Sequence, residues 1–445
     1  MFEILIWASI GVVALGMAYA YAGSRDVFHP LMFIGPMMLF MYAWMPLKLN
    51  ASGGLDGFFD KDQLVFVQSI NLVGIVFFVL GCLSIGCRLP KVRPAEPISA
   101  RAVHVLVVSG VVVGLIGVAA WSMAIVNVGG LTDAFSTAYS GGWDDNGYVR
   151  DASLMMYPAF MLIIAAAVGA GFRPALGVLA FGFLTPWMLQ AALTSRRGPT
   201  FMIMVTLSMG WFMYRQKRPS LVAAGAAGVL LGFLLLFLVT NRQQIYLGSD
   251  QELTTDVSDI VEKPDTGNEF IYGAGSILSA EQRHYFYWGR RYLAQIVVRP
   301  VPHSIWPTKY EDFGLPEMTH NAGTGEGFSE TLGWEGAEGS APGLIADLWL
   351  EFRWLNMPVL FLLGQLYARA WRKTHLQGGP WIAQYTIMAA LSIYFVMQTM
   401  EAVIFRLLEL SIPVWVVWKI AGYKKTTSLE IPADVALEAE VAVTA

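Results

Sequence analysis

The sequence predicts an all-α polytopic membrane protein with eleven transmembrane helices and one long outer loop. Three observations predict it. The 445 residues are 56% hydrophobic and only 14% charged, whereas a soluble domain carries about 25% charged residues. Runs approaching the ~20 apolar residues that span a bilayer as a helix recur along the chain. The alternating pattern of a transmembrane barrel is absent, so the spans are helices, whose backbone polar groups are satisfied internally.

In order, the predicted spans are 3–22, 29–47, 63–87, 102–127, 153–171, 174–193, 199–214, 220–240, 355–371, 380–399 and 402–421. The first is read as a retained helix. Ala18-Tyr19-Ala20 has the small-x-small form of a cleavage site, but no Lys or Arg precedes the apolar run, as a secretory signal requires. Cys82 and Cys87 lie in or beside the third span and read as buried packing residues, with no disulfide framework implied.

Charge placement orients the chain. Arg88, Lys91, Arg93 and Arg101 follow the third span, and Arg215, Lys217 and Arg218 the seventh. Arg369, Arg372 and Lys373 follow the ninth, and Lys419, Lys424 and Lys425 the eleventh. With eleven spans these clusters share one side, which the positive-inside rule assigns to the cytoplasm. The outer side then holds the N-terminus, the acidic and aromatic 128–152 loop, and the long polar loop. Residues 1–240 form an N-terminal bundle, 241–343 the loop, 344–422 the last three spans, and 423–445 a polar tail expected to be disordered. No internal repeat of the transporter kind is visible.

The loop and its outer neighbours carry the chemistry. Arg196 and Arg197 sit between spans six and seven, and Arg242 follows span eight. They read either as snorkelling flanks or as a basic pocket for lipid phosphates. Gly198 and Pro199 start span seven there, and a helix N-terminus also favours an anion. Residues 277–297 read as one amphipathic helix, with Leu278, Gln282, Tyr285, Gly289, Tyr292 and Ile296 on its apolar face. Arg283 and Arg290 lie nearly opposite, and Arg291 to one side. His303, near Arg299, Trp306 and Lys309, and His320, before a glycine-rich run, are candidate general bases. Asp347 and Glu351 share a helical face before span nine. Glu401, Arg406 and Glu409 in the last span need partners, for which Arg406 with Glu409 is the expected pair. No residue spacing suggests a metal site, so metal-independent chemistry without a cofactor is expected.

Many spans, a long outer loop and a few final spans resemble the bacterial O-antigen polymerases of the Wzy type and the related O-antigen ligases. Pro302-His303-Ser304-Ile305-Trp306-Pro307-Thr308-Lys309, following Arg299, is similar to the Pro-x-x-x-Trp-Pro-x-Lys stretch of many such polymerases. His320-Asn321 and Gly333-Trp334-Glu335-Gly336 resemble the ligases' loop signature, at a longer spacing. The resemblance implies a fold similar to the C-type glycosyltransferases in the bacterial inner membrane, with the active site facing the periplasm. It implies an undecaprenyl-diphosphate-linked oligosaccharide as donor, and membrane lipid as surroundings. Arg196, Arg197, Arg242, Arg283, Arg290, Arg291, Arg299 and Lys309 would hold the diphosphate, and His303 or His320 would deprotonate the acceptor hydroxyl. The resemblance leaves room for a chain-length regulator as partner and implies no nucleic acid. Transfer to another acceptor, as in a ligase, and lipid-linked glycan transport are the alternatives.

Overall fold

The computed structural model describes residues 1–89, 98–137, 147–254, 269–316, 318, 326–334 and 340–423. Every regular element among them is a helix. The main helices are α1 (Phe2–Ser24), α2 (Pro30–Ala51), α3 (Lys61–Ser84), α4 (Ala100–Asn127), α5 (Gly147–Gly169), α6 (Pro174–Thr194), α7 (Arg197–Tyr214) and α8 (Leu221–Thr240). After the loop's α9 (Glu269–Arg283) come α10 (Gly343–Phe352), α11 (Asn356–Gln377), α12 (Pro380–Met397) and α13 (Met400–Ile420). Eight of them, α1 to α6, α8 and α12, are long and apolar enough to cross a membrane. Helices α7, α11 and α13 occupy the other three expected spans and carry more polar residues. The expected tail, 424–445, lies outside the described residues.

Local sequence explains where the helices start. Asp60 opens α3 with a capping box: its side chain accepts from the Gln63 N–H, and the Gln63 side chain accepts from the Asp60 N–H. Ser99, Ser220 and Thr399 cap α4, α8 and α13 in the simpler way. Helix α2 contains Pro36 and relaxes through a π-helical turn at Phe40–Trp44. A proline removes one bond of the helical ladder, and such turns absorb the mismatch.

Packing separates an inner from an outer set. The run Met156–Ala167 of α5 is buried throughout. Helix α8 is apolar all round, yet Leu238 is its one buried residue. A helix that is hydrophobic on every face and unburied by protein is stable in lipid, not in water. Helices α3 and α11 meet at small residues. A side chain added at Gly81 would overlap the Phe361 carbonyl, and one at Gly364 the Phe78 carbonyl. Small residues let two backbones approach closely where lipid gives no hydrophobic drive.

One end of the bundle holds a buried charge cluster. Asp26, between α1 and α2, is 1% exposed. Its carboxylate meets Arg218 Nε at 3.0 Å, His375 Nε2 at 3.0 Å and Trp371 Nε1 at 2.9 Å, and accepts from the Phe28 N–H. Burial raises the Asp26 pKa, but these partners outweigh it and hold it at about 2. Cys82 and Cys87 are buried free thiols, and Cys87 Sγ lies 3.9 Å from His29 Nε2 in the same region.

Candidate functional site

The loop does not form the single helix expected over 277–297. Helix α9 stops at Arg283, and the chain turns before Arg290–Leu293 and the π-helical Ala294–Val298. His284, Trp288 and Gly289 take positive φ, which ends helical pairing. The turn is held by tertiary bonds: Tyr287 N–H donates to Leu350 O, and Trp288 N–H to Glu351 O. Those carbonyls belong to the last turn of α10, which has no helical partners for them. Helix α9 is also not an interfacial amphipath. Its Phe270–Ile271 and Gly273–Ala280 are buried, with Gly273 against Pro342 and Gly275 against Phe328.

The turn delivers Arg291 into a buried cluster with α10 and α13. Its guanidinium meets Asp347 Oδ1 at 2.8 Å, Glu351 Oε1 at 2.6 Å and Glu401 Oε2 at 3.4 Å, over the Tyr287 ring at 4.2 Å. Asp347 Oδ2 also accepts from Tyr292 Oη at 2.5 Å and the Met400 N–H at 2.9 Å. Glu351 Oε2 accepts from the Gly289 N–H at 2.6 Å. Asp347 and Glu351 are fully buried. Burial pushes the Glu351 carboxyl up to about 7, Arg291 opposing and Asp347 adding to the shift. The Asp347 and Glu351 side chains do share a face, as expected, but it is filled by Arg291. Among the described residues no group of three or more His, Cys, Asp or Glu is arranged to hold a metal.

A second set extends the belt along α13. Arg299 pairs with Asp151 Oδ2 at 2.5 Å, bonds Gln295 Oε1 at 3.1 Å and lies over the Phe405 ring at 4.2 Å. Gln295 in turn donates to Glu401 Oε1 at 3.3 Å. Lys309 is buried, its Nζ donating to Val301 O at 2.6 Å, Arg299 O at 3.1 Å and Tyr148 Oη at 3.2 Å. Lys309 therefore fastens the 299–309 segment to the start of α5.

The third set gathers at the start of α7. Ser195 turns the chain at positive φ, and Arg196 is the N-cap residue, with no side-chain cap on the helix. Arg197 pairs with Glu269 of α9. A side chain at Gly198 would overlap the Tyr394 hydroxyl, so glycine lets α7 start against that ring. The Arg406 guanidinium lies 4.8 Å from the centre of the same ring and donates to Ala402 O at 2.9 Å. Arg406 does not pair with Glu409 as expected. One turn of helix offers the Ala402 carbonyl directly, and the tyrosine face draws the cation away. Glu409 Oε2 is buried with no hydrogen-bond partner among the described residues, and so is the Tyr157 hydroxyl. Asp151, Arg299 and Arg406 are the charges that act on Glu409.

The remaining candidates sit apart or outside. Arg283 pairs with the exposed Glu330 at 2.7 Å, and Arg290 is exposed, reaching Phe313 O at 3.5 Å. Arg242 is half buried in the turn after α8, where the Asn241 side chain bonds Thr254. His303 is exposed, with Nδ1 3.1 Å from Pro307 O. A carbonyl only accepts, so Nδ1 carries the proton and Nε2 is left as the basic nitrogen. His320 and Asn321 lie outside the described residues.

Sequence reasoning did not find Tyr394, Tyr157 or the role of Asp151 in this belt. Tyr394 and Tyr157 look like ordinary span aromatics, and only the fold sets them beside Gly198 and Arg406. Comparison with protein-family models, curated proteins and solved structures gave no match.

Proposed function

We propose that the protein is a membrane glycosyltransferase that polymerises undecaprenyl-diphosphate-linked oligosaccharides into a surface polysaccharide. The observation that carries this reading is Arg406. It is a cation inside an apolar helix bundle, without an ion pair to a carboxylate among the described residues, across the Tyr394 ring from the start of α7, which has no side-chain cap, and its two arginines. Intramembrane cations are costly and mark substrate sites, and a guanidinium beside a helix N-terminus suits a diphosphate. In this reading the bundle has eleven spans, in the bacterial inner membrane, and the belt faces the periplasm. Arg406, Arg196 and the α7 start hold the donor diphosphate. They stabilise the charge that develops as the acceptor hydroxyl attacks the anomeric carbon and undecaprenyl diphosphate leaves. Glu409 or His303 Nε2 takes the hydroxyl proton. Arg291 and Lys309, committed to internal partners, position the loop instead of touching the donor.

The test is turnover. Purified protein in nanodiscs is given a synthetic undecaprenyl-diphosphate oligosaccharide, and products are separated by size. A glycan ladder with released undecaprenyl diphosphate is expected. Binding without any new glycosidic bond, with the native repeat unit as donor and acceptor, overturns the polymerase reading in favour of transport.

A further inference from the structure

A cavity of about 500 Å³ opens between the ends of α11, α12 and α13, at the bundle end that holds Asp26, Arg218 and His375. It is far along α13 from Glu401 and the proposed donor site. Two lysines, Lys373 and Lys419, line it with Trp381, Trp415, Val416 and Tyr423, and among the described residues its lining includes no carboxylate. Lys373 Nζ stands 3.9 Å from the centre of the Trp381 ring. Trp415 is fixed in place, its Nε1 donating to Gln384 Oε1 at 2.9 Å. The turn into α12 passes Gly378 and Gly379 at positive φ, and Gly379 packs on Tyr423 and Trp418.

A second observation points to what lies there. On α13 the exposed apolar residues are Leu408, Ile412, Val416 and Ile420. They recur every four residues, so they form one stripe along the helix. The stripe is unburied by protein and runs into the cavity at Val416. A ligand matching both features has an anionic head, an amphipathic boundary and an apolar tail. Tryptophan, tyrosine and lysine at helix ends are the residues of a membrane–water interface. Basic pockets between spans on the cytoplasmic side bind anionic lipid head groups.

We propose that this cavity is a binding site for an anionic phospholipid of the surrounding leaflet. Its phosphate lies between Lys373 and Lys419, and an acyl chain follows the Val416–Ile412–Leu408 stripe. Zwitterionic lipid lacks the net charge that two ammonium groups select, and free phosphate lacks the chain.

Native mass spectrometry of the purified full chain tests it, titrating phosphatidylglycerol, phosphatidylethanolamine and inorganic phosphate separately. Wild type is expected to take up one tight phosphatidylglycerol. Each lysine contributes about 1 kcal/mol, about fivefold, so the Lys373→Gln/Lys419→Gln protein binds it about thirtyfold more weakly. The Val416→Trp protein keeps both lysines, fills the cavity and also loses the lipid, which guards against a folding artefact in the double variant. Equal phosphatidylglycerol affinity in wild type and both variants overturns the proposal. So does phosphatidylethanolamine binding as tightly as phosphatidylglycerol, or displacement of the lipid by inorganic phosphate alone.

Discussion

The two ends of the bundle each bury a charge cluster, but with opposite balance. Around Asp26 burial raises the pKa, but the bonds from His375, Arg218, Phe28 and Trp371 to this single carboxylate outweigh it and hold the value at about 2. Around Arg291 a single guanidinium meets Asp347, Glu351 and Glu401, and burial, opposed by Arg291 and reinforced by Asp347, pushes Glu351 up to about 7. Both clusters tie distant segments together. Asp26 joins the α1–α2 turn to the ends of α7 and α11, and Arg291 joins the loop to α10 and α13. Burial thus has opposite outcomes at the two ends, because the partner bonds outweigh it at Asp26 and do not at Glu351.

Replacing the hub of the Arg291 cluster should cost most. Arg291→Met leaves Asp347, Glu351 and Glu401 around an uncharged side chain. Removing one partner of a buried ion pair costs about 3–5 kcal/mol, read as a lowered melting temperature, with faster proteolysis in the 284–299 segment. A melt unchanged from wild type would show that the cluster does not anchor the loop.

Asp26→Asn should cost less, about 1–3 kcal/mol, because the amide keeps the shape and part of the bonding. The sign of its pH dependence is fixed. The folded value of about 2 lies below the ordinary 3.8, so the stabilisation is present above pH 3.8 and fades as the pH falls through 2. Acid titration of melting temperature should show that limb in wild type and a flatter one in Asp26→Asn.

Glu351→Gln should move stability least, on the order of 1 kcal/mol, and in the opposite pH direction. The folded value of about 7 lies above the ordinary 4.5, so stability is fully present below pH 4.5 and is lost as pH rises through 7. The variant should remove that alkaline-side loss. A loss of the same size in both proteins would assign it to another group.

Much of this architecture was legible in the sequence, and the reasons are specific. Helices occupy all eleven expected stretches because apolar runs are local signals. The pairing of Asp347 with Glu351 on one face follows from helical spacing alone. The 277–297 helix failed because Tyr287 and Trp288 gain more by capping α10 than by continuing α9, a tertiary effect that no local pattern carries. Arg291 and Lys309 looked like Arg196 in sequence. What separates them is burial against partners brought from distant segments, Asp347 from 56 residues away and Tyr148 from 161. Arg406 was visible as a charge inside an apolar run, but its partner Tyr394 was not.

In the proposed function, Arg406 and the start of α7 bind the donor's diphosphate, while Arg283 and Arg290 of the loop do not. Its most direct measurement is the rate of undecaprenyl diphosphate release in nanodiscs by wild type, Arg406→Gln and the loop control Arg283→Gln, with melting temperatures taken in parallel. Arg406→Gln is expected to lose roughly a hundredfold or more, with a wild-type melt, while Arg283→Gln, which removes a half-buried arginine paired with the exposed Glu330, stays within about twofold of wild type. An Arg406→Gln protein as active as wild type would contradict it.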